Sequence, residues 1–187
     1  MKIGIYVGSF NPVHMGHTNI INYLFNNKYL DKIFIIPTRG YWDKINLIDL
    51  KHRINMLKYM ENEFVCIDDT NNNLDYTYQV LNEYSKLYRK EDIYLIIGAD
   101  NIMRFNEWKN IDEILSYNII VLNRNDIDIM YYIDIYGFDI NKFVVISDYP
   151  YIDISSSEIR NSIEDNINYL DNRVYQYIKD NKLFRKV

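Results

Sequence analysis

Short apolar runs alternate with amphipathic segments along almost the whole chain. The apolar, often β-branched runs predict six strands, at residues 3–7, 32–37, 64–67, 93–97, 119–122 and 143–146. Apolar residues at helical spacing predict helices at residues 16–27, 50–60, 76–88 and 111–116, with two more after the last strand. Because strands that are apolar nearly throughout and alternate with helices are buried on both faces, the pattern predicts an α/β fold with a doubly wound parallel sheet.

Two of the predicted helices have a clear apolar face. In the helix at residues 50–60, Leu50, Ile54, Leu57 and Met60 have helical spacing. In the helix at residues 76–88, Val80, Leu81, Tyr84 and Leu87 lie on one side.

A doubly wound sheet also predicts where a ligand binds. In such sheets, ligands lie beyond the carboxyl ends of the strands. The loops that follow Val7, Ile36, Ile97 and Ile146 are therefore expected to converge on one site. With 187 residues, the chain fits a single domain, residues 1–187.

Composition and charge narrow the classes of protein to consider. The 48% apolar content indicates a globular protein with a buried core, and the single cysteine, Cys66, is expected to be a structural thiol. A net charge of −5 argues against a broad electrostatic surface for nucleic acid. No apolar run approaches the ~20 residues of a membrane-spanning helix, and the first strand begins too early for a signal peptide. We therefore expect a cytoplasmic protein whose partners are neither nucleic acid nor membrane.

The segment GSFNPVHMGH, residues 8–17, is the first candidate for chemistry. It holds two of the chain's six glycines, Gly8 and Gly16, and two of its three histidines, His14 and His17, three residues apart at the start of a predicted helix. The N-terminus of a helix attracts anions, and imidazoles placed there can donate hydrogen bonds to phosphate oxygens. A metal-binding pair is the alternative, but no acidic residue or cysteine stands at a familiar ligand spacing. The segment therefore predicts phosphate binding and no dedicated metal ligands.

A second candidate is ISSSEIR, residues 154–160. Ser155 and Glu158 have the spacing of a capping box, which begins a helix. Hydroxyl groups at a capped N-terminus can also bind phosphate, and Arg160 stands one turn further into that helix. The structural and the phosphate-binding interpretations are compatible.

Taken together, the two segments resemble the signatures of the H-x-G-H nucleotidyltransferase superfamily, whose fold is Rossmann-like. Three further segments resemble the nicotinate-nucleotide adenylyltransferase family. They are Ile97–Asp100 followed by Phe105 and Trp108, Asp75–Thr77 at the head of a helix, and Arg53–Leu57. His14 occupies a position where phosphopantetheine adenylyltransferases usually carry threonine.

The resemblance implies a reaction and a set of residues. ATP would transfer its AMP moiety to nicotinate mononucleotide, with Mg²⁺ bound mainly through the ATP phosphates. The implied catalytic residues are His14, His17 and Arg160. The implied ATP-binding residues are Gly8, Ser9, Phe10, Lys44, Gly98, Asp100, Ser156 and Ser157. The implied mononucleotide-binding residues are Asn11, Thr77 and Trp108.

Several alternatives stay open at this point. Lys44 lacks the usual sequence context of its family counterpart, and Arg39 is a plausible substitute. Trp108 could equally be a half-buried helix anchor, Thr77 could cap its helix, and Arg124 could approach a phosphate.

The choice of substrate is also open. The sequence does not separate nicotinate from nicotinamide mononucleotide, and it leaves the oligomeric state open, a homodimer included. A phosphopantetheine adenylyltransferase or a non-catalytic nucleotide-binding regulator are further alternatives. A class I aminoacyl-tRNA synthetase, which shares a similar histidine signature, is excluded by the short, acidic chain.

Overall fold

The computed structural model describes residues 1–39, 47–124 and 127–185. In this part of the chain, six strands form one parallel sheet in the order β3-β2-β1-β4-β5-β6. The strands are β1 Ile3–Gly8, β2 Lys32–Pro37, β3 Val65–Ile67, β4 Ile93–Gly98, β5 Asn118–Leu122 and β6 Phe143–Ile146. This confirms the predicted doubly wound α/β fold.

The described residues also form eight α-helices. They are α1 Met15–Asn26, α2 Leu50–Leu57, α3 Thr77–Ser85, α4 Ala99–Ile102, α5 Ile111–Ile114, α6 Ile129–Ile135, α7 Ser156–Asn161 and α8 Asn172–Asp180. The sequence pattern did not predict α4 or α6. Both are short, and α6 buries only Ile129 and Ile133, so its apolar periodicity is too brief to stand out.

Two apolar layers enclose the sheet. On one face, α1, α2, α7 and α8 pack against the strands through side chains such as Leu24, Met56 and Val174. On the other face, α3, α4, α5 and α6 do so, for example through Leu81 and Ile114. Within the described ranges, no helix has both the length and the apolar character needed to cross a membrane.

The structure shows which residues of the two helices are buried. In α2 the buried residues are Arg53, Met56 and Leu57, so a charged side chain lies on the face that the pattern assigned to Leu50 and Ile54. In α3 the burial of Val80, Leu81 and Tyr84 is confirmed. Leu87 is 79% exposed, because the helix ends at Ser85 before the apolar face can continue.

The strand order changes direction between β1 and β4. Chain connections run from β1 outwards to β3 on one side, and from β4 outwards to β6 on the other. The loops at the carboxyl ends of β1 and β4 therefore separate towards opposite faces of the sheet and leave a crevice between them.

Candidate active site

A cleft of about 950 Å³ opens at this edge of the sheet. Its walls come from the loops after β1, β2, β4 and β6, which confirms the predicted convergence, and Arg124 adds the segment after β5. Residues from both signature segments line it, including His14, His17 and Ser156. Thr77 and Trp108 line the same space. The motifs that are far apart in sequence therefore share one cavity.

The two histidines at the start of α1 hold each other in place. His14 is the N-cap residue, and its Nδ1 accepts a hydrogen bond from the Gly16 N–H at 3.1 Å. The Nδ1 of His17 accepts from the His14 N–H at 3.3 Å, and the two ring centroids are 3.9 Å apart. Since Nδ1 is the acceptor in both neutral rings, each carries its proton on Nε2. Each ring therefore has an Nε2–H donor available for a ligand.

Both imidazoles are held in the neutral form. Burial lowers the pKa of His14 to about 4, and the positive charge of Arg124 adds to this effect. Burial lowers the pKa of His17 well below its usual value, and His14 and Arg124 lower it further. Neutral rings suit a partly dry cleft, because burying a charge without a partner is costly.

Gly16 is required by the position of the His14 ring. A Cβ at Gly16 would lie 2.9 Å from Cε1 and 3.0 Å from Nδ1 of His14. Any side chain at this position would therefore displace the imidazole or break its hydrogen bond to the Gly16 N–H. This contact gives a steric reason for the glycine in H-x-G-H.

The loop between β1 and α1 is anchored by buried side chains. Phe10 has a positive φ of 46° and is 2% exposed, and its ring packs edge-on against Tyr6 at 5.3 Å. Asn11 is also 2% exposed, and its Oδ1 accepts from the Ile48 N–H at 3.3 Å. Gly8, Ser9 and Phe10 line the cleft, whereas Asn11 does not.

The second signature braces this loop. Ser155 and Glu158 form the predicted capping box at the start of α7, which confirms its structural interpretation. The Ser156 Oγ donates to the Pro12 carbonyl at 2.9 Å. The guanidinium of Arg160 donates to the Asn11 carbonyl at 2.7 Å and to the Ser157 Oγ at 3.0 Å.

At the end of β4, Asp100 faces Arg124. The Asp100 carboxylate and the Arg124 Nη2 are 3.1 Å apart, and a Cβ at Gly98 would lie 2.5 Å from the carboxylate. The Arg124 Nε and the Asn123 Oδ1 are buried without a hydrogen-bond partner in the described part of the chain. The cleft thus holds a cation whose hydrogen-bonding capacity is not fully used by the described residues.

Thr77 and Trp108 also line the cleft. Thr77 is 5% exposed and is the first residue of α3. The N-cap position belongs to Tyr76, whose N–H donates to the Gln79 side chain at 3.0 Å, so the capping role considered for Thr77 falls to its neighbours. Trp108 is half-buried and its ring packs edge-on against Phe105 at 4.9 Å, so it is both an anchor and a cleft wall.

Some predicted site residues lie elsewhere. Lys44 lies outside the described residues, and Arg39 is exposed and does not line the cleft. Ser157 and Arg160 do not line the cleft, and Arg160 donates to the Asn11 carbonyl and to the Ser157 Oγ. Sequence reasoning also missed Tyr6 and Tyr149, which line the cleft. Among 19 tyrosines, nothing in the sequence distinguished these two.

Comparison with known proteins identifies the family of the chain. A model of the family described as cytidylyltransferase-like matches residues 5–162. The "Probable nicotinate-nucleotide adenylyltransferase" of Acholeplasma laidlawii is 36% identical over 193 residues, covering 98% of this chain and 97% of its own. The protein of the same name from Borrelia hermsii is 35% identical over 202 residues, covering 100% and 99%.

The chain belongs to the nicotinate-nucleotide adenylyltransferase family. This chain has the same fold as a solved structure, the Plasmodium falciparum nicotinic acid mononucleotide adenylyltransferase complexed with NaAD. The two structures superpose with a TM-score of 0.81 at 24% identity, over 98% of this chain and 97% of the other.

Proposed function

We propose that this protein transfers the AMP moiety of ATP to nicotinate mononucleotide, giving nicotinate adenine dinucleotide and pyrophosphate. The observation that carries the proposal is the single cleft that His14, His17, Thr77 and Trp108 all line. Membership of the adenylyltransferase family supports it. A nucleotide that extends along this cleft would place its phosphates at the histidines and a flat ring at Trp108.

Direct in-line attack is the mechanism that the site supports. An oxygen of the mononucleotide 5′-phosphate would form a bond to the α-phosphorus of ATP while the bond to the leaving pyrophosphate breaks. The Nε2–H groups of His14 and His17 would donate to the phosphate oxygens as charge shifts between them. Because both rings are fixed by backbone hydrogen bonds, the donors are aimed before the substrates arrive.

The remaining roles are those that the family resemblance implies. We assign the outer ATP phosphates to Ser156, Ser157 and Arg160, where a phosphate oxygen would replace the Ser157 hydroxyl as an Arg160 partner. The residues assigned to the rest of ATP are Gly8, Ser9, Phe10, Lys44, Gly98 and Asp100, the last accepting from the ribose. Those assigned to the mononucleotide are Asn11, Thr77 and Trp108, with Trp108 stacking on the pyridine ring.

The donor set of the cleft fits a metal ion that enters with the nucleotide. In the described part of the chain no three histidine, cysteine or acidic side chains form a cluster. The two cleft carboxylates, Asp100 and Glu107, are paired with Arg124 and Arg104. Mg²⁺ bound to phosphate oxygens and water would offset the repulsion between the two anionic substrates. A cytoplasmic location and a homodimer stay predictions.

The test is a pyrophosphate-release assay with ATP, Mg²⁺ and one of three acceptors: nicotinate mononucleotide, nicotinamide mononucleotide or phosphopantetheine. We expect kcat/KM to be at least ~10-fold higher for nicotinate mononucleotide than for the other two. Discrimination from the amide depends on hydrogen bonds near the ring, and phosphopantetheine has no aromatic ring to lie against Trp108. Mass spectrometry should identify nicotinate adenine dinucleotide as the product. Faster turnover of either other acceptor, or no release by folded protein, would overturn the proposal.

A further inference from the structure

Arg53 is a buried cation on the apolar face of α2. It is 1% exposed and shares that face with Met56 and Leu57, three and four residues further on. Burying a guanidinium is costly unless its donors are satisfied. Among the described residues it makes no ion pair, and Asp49, at the start of the same helix, is the charge that acts on it electrostatically. Its burial therefore depends on other partners.

Those partners are three backbone carbonyls from three separate segments. The Arg53 Nη1 donates to the Ser9 carbonyl at 2.7 Å and to the Thr38 carbonyl at 2.6 Å. The Nε donates to the Ile48 carbonyl at 3.2 Å. A planar guanidinium can hold several acceptors in fixed directions, which a lysine ammonium cannot reproduce.

The same three segments are also joined around Arg53. The Thr38 N–H donates to the Gly8 carbonyl at 2.9 Å. The Ile48 N–H donates to the Asn11 Oδ1 at 3.3 Å. Arg53 is thus the centre of a network that fixes the backbone on both sides of Ser9.

Fixing the Ser9 carbonyl also fixes the next N–H. In a trans peptide the carbonyl and the following N–H point in opposite directions. The Phe10 N–H is therefore directed away from Arg53. Ser9 and Phe10 line the cleft, whereas Arg53 does not. In the described part of the chain the Phe10 N–H has no acceptor.

We propose that Arg53 is a positioning residue for nucleotide binding. It holds the Ser9 carbonyl so that the Phe10 N–H is presented to a phosphate oxygen of ATP, and it does so without touching the substrate. The inference rests on the proposed ATP site and adds to it a residue that acts from behind the loop.

Two variants and a matched control test this role. Arg53→Met removes every donor and keeps most of the volume, and Arg53→Lys keeps one charged group. Met56→Ala is the control, because Met56 is 0% exposed on the same helix and packs in the core without contacting the loop carbonyls. Calorimetric titration with Mg–ATP, at a temperature where all variants are folded, gives the Kd of each.

We expect Arg53→Met to raise the Kd for ATP by at least ~10-fold, and Arg53→Lys to recover part of that loss. The KM for ATP should rise in parallel, while the KM for the mononucleotide changes by less than ~2-fold. Met56→Ala should keep the wild-type Kd even where its melting temperature falls as far as that of Arg53→Met. Equal Kd values for Arg53→Met and Met56→Ala would make Arg53 merely structural and overturn the inference.

A measurement on the unaltered protein covers the case in which the Arg53 variants do not fold. The Phe10 amide resonance should shift on addition of Mg–ATP, and an unchanged resonance with ATP bound would overturn the inference. Neither the calorimetry nor the resonance requires turnover. A protein that binds ATP in this way but releases no pyrophosphate with nicotinate mononucleotide would therefore fail the proposed function alone.

Discussion

The two signature segments differ in what their side chains face. In residues 8–17, the imidazoles of His14 and His17 and the backbone of the loop line the cleft. In residues 154–160, Ser156 and Arg160 donate hydrogen bonds to backbone carbonyls of the first segment. Both segments look equally rich in phosphate-binding chemistry when read as sequence. In the structure, the first segment provides hydrogen-bond donors to the cleft, and the second segment helps to hold those donors in position.

This division predicts that substitutions in the first segment mainly change turnover, whereas substitutions in the second mainly change the free energy of unfolding. Removing a donor from the first should act mainly on turnover. Removing a brace from the second should lower stability before any nucleotide is present. Four experiments follow, from the largest expected effect to the smallest.

His14→Ala should lower kcat by on the order of 10²-fold or more, the scale for losing a preorganised transition-state donor. The control is His52→Ala, which removes the third histidine of the chain at its contact with Tyr177, outside the cleft. Steady-state pyrophosphate release measures both. Near-normal kcat in folded His14→Ala would leave the ring a structural cap of α1 only.

Arg160→Met should lower the free energy of unfolding in the absence of nucleotide by about 1–3 kcal/mol, because the Asn11 carbonyl loses a charged donor. Arg173→Met is the control, since Arg173 is exposed and pairs with Asp171 at the surface. Urea denaturation gives both values. If the nucleotide-free stability of Arg160→Met is unchanged, the contact with the Asn11 carbonyl does not brace the loop, whatever happens to ATP binding.

Gly16→Ala should lower kcat by on the order of 10-fold, because the new methyl group meets the His14 ring at 2.9 Å and a shift of ~1 Å at a reacting group can cost more than that. Met15→Ala, at an exposed neighbouring position, should have nearly wild-type kcat. A crystal structure of Gly16→Ala should show the imidazole displaced. Wild-type turnover with an unmoved ring would remove the steric explanation.

The pH dependence of stability should come from the first segment. An unfolded histidine binds its proton near pH 6.5, whereas the pKa of His14 in the fold is about 4. Between these values the unfolded state binds more protons, so stability falls as pH falls from 6.5 to 4 and is complete above 6.5. In His14→Ala this slope should be smaller by up to ~1.4 kcal/mol per pH unit. Ser156→Ala should keep the wild-type slope, and equal slopes in all three proteins would contradict the assignment.

Much of the fold could be predicted, because long apolar runs fix the strands of a buried parallel sheet. The six predicted strands and the convergence of their loops were confirmed. Short elements escaped, since α6 buries only two residues and leaves little periodic signal. The end of α3 was also misplaced, because an apolar residue such as Leu87 can follow a helix as readily as continue it.

The candidate site was predicted in part, because sequence indicates residue types better than directions. The histidines and Ser156 could be placed at one site, but not the carbonyls that Ser156 and Arg160 contact. For Arg53, the sequence does contain an indication of its role. Met56 and Leu57 follow it by three and four residues, so its charge lies on a helix face that should be apolar. A charge in such a place indicates a buried network.

Histidine resonances offer the most direct measurement of where ATP binds. The chain has three histidines, so ¹⁵N-histidine labelling gives three imidazoles to follow during titration with Mg–ATP. Before addition, His14 and His17 should both show the neutral form with the proton on Nε2. On saturation these two should shift strongly while His52 stays fixed. Saturable ATP binding that leaves His14 and His17 unchanged would contradict the placement of the phosphates at the start of α1.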